Sequence, residues 1–323
     1  MRVFITGATG YIGSAVAREM RSHGHQVVGL ARSSASAEKL NKAGIEAVTG
    51  DFSNPKSVLA AIKSVAPHAV VNTANVSGLQ GEDFKASRNV VIAISKYLSG
   101  SGTCFINTSG SGALGVFRGG NEDNKIYPED TPLPLSRNEV APSGSGVPKI
   151  VVGRFLSAMK ARVQAEKYIL NDKGIRGVVI RPADVWGDGG SVDIPTLVVA
   201  ARKHGVPPVF GEGGTVHSFV NIRDLAVLYR LAAENARPGE IFHGSSEDVK
   251  MLDLAQAASR MLGMAGKTDQ VSAMKMLMLG GGIGLSLSMN KRLSSKFTRE
   301  KLGWNPTVEG VLRDVEFGSY AVN

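Results

Sequence analysis

An apolar run, Val3-Phe4-Ile5, leads straight into Thr6-Gly7-Ala8-Thr9-Gly10-Tyr11-Ile12-Gly13-Ser14. This order predicts a strand that turns sharply into a helix. Gly7 lets the chain turn, Gly10 has no Cβ to keep a phosphate away from the backbone, and Gly13 lets the helix lie against the strand. The first N–H groups of such a helix lack intrahelical partners, and its positive end faces the same point. Glycines alone would serve any tight turn. With a strand before them and an amphipathic helix after, they favour a loop that cradles the pyrophosphate of a dinucleotide. Thr9, Tyr11 and Ile12 complete this candidate contact set.

The pattern after this turn repeats. Short β-branched runs at 26–31, 46–49, 69–72, 104–107 and 176–181 join the first at 3–6 as predicted strands. Helical spacing covers 11–22, 36–42, 55–65, 83–98 and 154–171. Strand–helix alternation of this kind predicts an α/β chain with a parallel sheet covered on both faces, and ligands bind such sheets at the carboxyl ends of the strands. Residues 110–153, rich in glycine and proline, read as a long loop able to act as a lid. Residues 274–289 hold Met274, Met276, Met278 and Met289, which suit a flexible core helix or, alternatively, the lining of an apolar pocket.

With 323 residues, 43% hydrophobic and 20% charged, the chain can bury a large core, in one domain or in two that share it. The net charge of +9 is spread along the chain with no basic stripe, so nucleic acid is not expected as a partner, while anionic ligands are favoured. The single cysteine, Cys104, lies in an apolar stretch and reads as a core residue; no Cys/His cluster has metal-binding spacing. No apolar run is long enough for a membrane span and no signal peptide is recognised, so the expectation is a cytoplasmic chain without membrane partners.

The end of the second strand discriminates between nicotinamide cofactors. An acidic residue there would bond the adenine ribose of NAD, whereas arginine suits the 2′-phosphate of NADP. The chain reads Leu30-Ala31-Arg32-Ser33-Ser34, without a carboxylate. NADP(H) is therefore the expected cofactor, with Arg32 and Ser33 as its phosphate contacts. Asp51 would accept from the adenine amino group, and Thr73-Ala74-Asn75 would pass beneath the adenosine.

The opening motif resembles that of the extended short-chain dehydrogenases/reductases, the group of the NAD-dependent epimerase/dehydratases. Gly50-Asp51-Phe52 is similar to the family's adenine contact, and Tyr127-Pro128-Glu129-Asp130-Thr131-Pro132 to its acidic loop. Ile180-Arg181-Pro182-Ala183-Asp184-Val185-Trp186-Gly187 resembles its turn near the nicotinamide, which makes Pro182 and Val185 candidate contacts. Phe219-Val220-Asn221-Ile222-Arg223-Asp224-Leu225-Ala226 and Leu302-Gly303-Trp304-Asn305-Pro306 resemble later family signatures. The resemblance implies a Rossmann doubly wound parallel sheet over 1–182 and 215–235. It also implies a smaller, discontinuous substrate-binding region over 183–214 and 236–323.

The family's catalytic Tyr and Lys stand four residues apart on one helix face. At the corresponding positions this chain has Ala158 and Arg162, and none of its six tyrosines has Lys four residues later. Arg162 retains a positive charge for the ribose or the reacting centre; Ala158 transfers no proton. The family's upstream Ser/Thr position falls on Gly110, between Ser109 and Ser111. The candidate catalytic set is thus Ser109, Ser111, Arg162 and Tyr127, with Tyr168, His217 and water as further proton sources.

The favoured reading is an NADPH-dependent oxidoreductase that reduces a carbonyl or related group on an apolar small molecule, acting as a monomer or homodimer. The alternatives are an NADP(H)-binding non-redox enzyme or regulator, and a nucleotide-sugar epimerase/dehydratase.

Overall fold

The computed structural model describes residues 1–78 and 81–321. The expected segments' residues 79–80 and 322–323 lie outside the described residues.

Six strands in the first part of the chain, β1 (Arg2–Thr6), β2 (Gln26–Ala31), β3 (Glu46–Thr49), β4 (Ala69–Asn72), β5 (Cys104–Thr108) and β6 (Arg176–Pro182), form most of one parallel sheet. Two further strands, β7 (Asp184–Trp186) and β8 (Val216–Asn221), lie outside it, and β9 (Glu240–Gly244) returns to it. The order is β9-β6-β5-β4-β1-β2-β3. The direction of winding reverses beside β1, so a crevice opens where the glycine turn leaves that strand.

Alternation along the strands explains why both faces are covered. Phe4, Val28, Val70 and Phe105 point into one core with Val58, Ile62, Val91 and Ile94 of α3 (Pro55–Val65) and α4 (Phe84–Leu98). Val3, Ile5, Val27, Val71 and Ile106 point the other way, onto Val16 and Met20 of α1 (Tyr11–Ser22). Asn54 and Asp83 begin α3 and α4 by accepting from the second and third backbone N–H groups of each helix. The helix α2 (Ser34–Lys42) starts at a capping box in which Ser33 and Ser36 bond each other reciprocally.

Three departures from the sequence reading concern the second half. The long helix α5 (Lys149–Asn171) begins directly after Pro148, so Gly153 is helical rather than the end of a loop. Residues 110–148 are packed rather than lid-like. They hold a short 3₁₀ helix (Ser111–Leu114) and a helical turn (Arg137–Val140), and they bury Val116, Phe117, Tyr127 and Leu135. Finally, β9 pairs with β6, which puts residues 240–244 in the main sheet instead of the substrate region. Without this strand the polar edge of β6 would be left unpaired.

The second region is built on β8, which pairs with β7 on one side and with β10 (Glu247–Lys250) on the other. Residues 216–221 therefore belong here, whereas the helix that follows, α6 (Ile222–Asn235), packs back onto α1. Two of the later motifs bond each other: Trp304 Nε1 donates to the Asp224 carbonyl at 2.8 Å, and the N–H groups of Thr307 and Val308 donate to the Asp224 carboxylate. Of the methionines, Met276 and Met289 are core, while Met274 and Met278 are exposed.

Candidate active site

The carboxyl ends of β1 to β6 converge on the crevice. Gly7 takes φ +76°, which a side chain would strain, and a Cβ on it would come within 2.9 Å of Thr73 Oγ1. A Cβ on Gly13 would collide with the Gly7 carbonyl and come within 2.6 Å of Thr73 Oγ1. Thr73 is itself fixed by donating to the Thr6 carbonyl at 2.8 Å. Gly10 is exposed and precedes α1 with no side chain capping the helix, so the helix N-terminus is open. A helix N-terminus open in this way offers backbone N–H groups without intrahelical partners to an anion.

The next edge is basic. Arg32 is exposed directly after β2. Asp51 follows β3, and its carboxyl is held below the usual carboxylate range by the N–H and hydroxyl of Ser53, with a smaller contribution from the Arg32 charge. Ser33 has a further role, its Oγ accepting from the Ser36 N–H as the cap of α2. The sequence reading missed Lys39, whose Nζ donates to the Thr9 carbonyl at 3.2 Å and ties α2 to the glycine loop. Its signal was a lysine one turn into the helix that starts behind Arg32. Phe52, Ala74 and Asn75 lie at the same ends of the strands, after β3 and β4.

Towards β5 a polar rail crosses the sheet. Thr6 Oγ1 donates to Asn72 at 2.5 Å, Asn72 Nδ2 donates to Asn107 at 2.8 Å, and Thr108 Oγ1 donates to the Asn72 carbonyl at 2.7 Å. The rail fixes the strand ends on which Thr73 and Ser109 depend.

The expected catalytic residues divide. Arg162 and Gly110 come together: a Cβ on Gly110 would stand 2.7 Å from Arg162 Nη1, and the guanidinium carbon lies 4.8 Å from the centre of the Phe84 ring. Ala158 lies one turn back on α5. Ser109, by contrast, donates its hydroxyl hydrogen to the buried Glu166 carboxylate, which is also bound by Arg181 at 2.6 Å. That proton is committed to a carboxylate. Tyr127 is 1% exposed, with burial pushing its phenol up to about 12. It is therefore a core residue held by Arg292 and Ser294 backbone bonds, and the expected mobile donor is corrected accordingly.

Ser111 leads to a buried charged cluster that sequence reasoning did not assemble. Its Oγ lies 3.4 Å from Asp184 Oδ1, which Lys291 Nζ meets at 2.8 Å. His217 Nδ1 lies 2.6 Å from Asp184 Oδ2. Burial opposes the charge on Asp184, but Lys291 and His217 outweigh it and hold the carboxyl below its usual range. Burial and then Lys291 push the His217 imidazole down. The neutral ring donates through Nδ1 and leaves Nε2 without a hydrogen-bond partner. Nearby Asp193, half-buried, is pushed up by burial and by the Asp184 charge. The signal was Asp184 standing among apolar neighbours in Ala183-Asp184-Val185-Trp186; Lys291, between Asn290 and Arg292, gave none. Pro182 is buried and Val185 half-buried at the start of this segment. Among the described residues no group of three or more His, Cys, Asp or Glu is placed to hold a metal ion, and no helix is long and apolar enough to cross a membrane.

The seven-stranded sheet with its glycine turn and open switch point defines a Rossmann-fold protein. Residues 3–110 match the family model described as "NAD dependent epimerase/dehydratase family". Over these residues the chain is similar to the NAD-dependent epimerase/dehydratases. It is 29% identical to protein YLL056C of Saccharomyces cerevisiae, with all of both chains covered. It is 27% identical to 2-alkyl-3-oxoalkanoate reductase of Stenotrophomonas maltophilia, over 76% of this chain and 69% of the relative. A crystal structure of human epimerase family protein SDR39U1 (isoform 2) with NADPH superposes with a TM-score of 0.69 at 18% identity, covering 100% of both chains.

Proposed function

We propose that the protein is an NADP(H)-dependent reductase of a carbonyl or related group on an apolar small molecule. The observation that carries this reading is the exposed Arg32 at the end of β2, with no carboxylate beside it on that strand, at the rim of an open glycine cradle. A reductase-named relative and an NADPH-bound structural neighbour support it.

The residues would divide the work as follows. Gly7, Gly10, Gly13 and the N-terminus of α1 hold the pyrophosphate, and Thr9, Tyr11 and Ile12 frame it. Arg32 holds the 2′-phosphate, Asp51 and Phe52 the adenine, and Thr73, Ala74 and Asn75 the floor beneath the adenosine. Pro182 and Val185 flank the nicotinamide. When bound, the dinucleotide supplies the hydride. Arg162, against Gly110, stabilises the oxygen on which negative charge develops, which a guanidinium does without giving up a proton. The proton for that oxygen comes from water, because Ala158 has none to give and the Ser109 hydroxyl is bound to Glu166. Ser111 couples the same strand end to the Asp184 cluster.

Two features favour the non-redox alternative: Ala158 in place of a proton donor, and the commitment of Ser109 to Glu166. One experiment separates the two readings. NADPH deuterated at C4 is incubated with the full chain and a panel of apolar ketones and aldehydes. Deuterium in a product supports the reductase. Tight NADPH binding with product formed without label, or with no oxidation of NADPH on any carbonyl, supports the alternative and overturns the proposal.

A further inference from the structure

Residues 187–190 follow β7 and form a turn of unusual backbone. Gly187, Asp188 and Gly189 take φ of +109°, +51° and +68°, and Asp188 has a side chain in a region where few residues other than glycine sit. Such a turn persists only where its surroundings over-determine it, and here two tyrosines do so from opposite ends of the chain. Tyr11 OH, from the glycine loop, donates to the Gly187 carbonyl at 2.8 Å, and the Tyr11 ring lies so close to Gly190 that a Cβ there would collide with it. Gly187 N–H donates to Tyr320 OH at 2.8 Å, and Tyr320 OH donates to the Gly190 carbonyl. Asp188 is held by Arg223 at 2.7 Å and by Arg18 of α1 at 3.6 Å. Tyr320 is anchored in turn, because Ser319 donates through N–H and Oγ to Asp314 of the last helix, Val311–Phe317.

We propose that Tyr320 is a positioning residue of the dinucleotide site: through residues 187–190 it fixes Tyr11 and the glycine loop on one side and the Pro182–Val185 segment on the other. The proposal rests on the reading that the glycine loop holds a dinucleotide. Nothing in the sequence joins position 320 to position 11; the turn does. Because the coupling is an equilibrium one, it runs both ways. A nucleotide on the glycine loop must tighten the last helix and Tyr320, and loss of the Tyr320 hydroxyl must weaken the nucleotide.

The test uses the full chain. NADPH and NADH are titrated into wild type, Tyr320→Phe, Tyr11→Phe and the double variant, with binding followed by fluorescence. Hydrogen exchange of residues 311–321 is measured in the wild type with and without nucleotide. The expected result is about ten-fold weaker binding in Tyr320→Phe, little further loss when Tyr11→Phe is added, and slower exchange of 311–321 when nucleotide is bound. A merely structural role for Tyr320 would lower the unfolding temperature and leave the other two readouts unmoved. Wild type that binds nucleotide without protecting 311–321 overturns the proposal, even if Tyr320→Phe does not fold, and leaves the dinucleotide reading intact. Wild type that binds neither nucleotide overturns both.

Discussion

The two ends of the crevice are built in different ways. The end beside β1 and β2 is made of backbone: glycines, the N-terminus of a helix and an exposed arginine, all within the first 32 residues. The end beside β5 to β8 is made of buried charged side chains drawn from distant parts of the chain, such as Ser109 with Glu166 and Arg181, and Ser111 with Asp184 and Lys291. The first is open. The second neutralises its charges internally. The end proposed to bind the dinucleotide is thus exposed, while the hydroxyls at the other end, Ser109 and Ser111, lie against buried carboxylates.

The contrast breaks first if the buried end proves tolerant. Lys291→Met leaves the buried Asp184 without its one full positive charge, with only His217 and Ser111 beside it, and should cost about 3–5 kcal/mol of unfolding free energy in a urea titration. A loss below about 1 kcal/mol would mean that the cluster is solvated rather than buried. The glycine end should respond in the opposite manner. Gly10→Val adds a side chain at an exposed position whose Cβ would meet only the Gly7 carbonyl, at 3.1 Å. It should abolish nucleotide binding by about 100-fold or more while shifting the unfolding free energy by about 1 kcal/mol at most. Unchanged NADPH affinity in the folded variant would remove the pyrophosphate from this loop.

A third comparison uses pH. Burial, then Arg181, pushes the His243 imidazole down to about 3. The unfolded chain therefore binds a proton that the folded chain refuses between about pH 6.5 and pH 3. Stability from this group is complete above pH 6.5 and falls by about 1.4 kcal/mol per unit as pH drops through that window. His243→Asn should flatten this part of the stability profile, as read from urea midpoints at successive pH values. Nucleotide binding at pH 7 should not change. The smallest effect is the most selective: Arg32→Ala should weaken NADPH by about ten-fold and NADH hardly at all. Equal weakening of both would take the 2′-phosphate away from Arg32.

Legibility follows the same division. Strands 26–31, 46–49 and 69–72 and helices 11–22 and 55–65 have the boundaries that the hydrophobic period and the caps predict. Each is specified by neighbours within a few residues, as Asn54 and Pro55 specify the start of α3. The reading failed where the partner is remote. Tyr127 looked mobile because Gly and Pro surround it, yet backbone bonds to Arg292 and Ser294 hold it in the core. Ser109 looked like a free hydroxyl because Glu166 and Arg181 lie 57 and more residues away. The capping role of Ser33 went unread although its partner is local, since a serine three residues before Ser36 is a capping-box pattern.

The strand β9 has one more consequence, for synthesis. Translation proceeds at about 5–20 residues per second, so several seconds separate the emergence of β6 from that of the strand that covers it. Through that interval the nascent sheet carries a raw edge formed by Val178, Val179 and Ile180, open to pairing with another chain. Slowing translation over residues 183–240 should therefore raise aggregation during expression, and a chaperone that binds strand edges should reverse it.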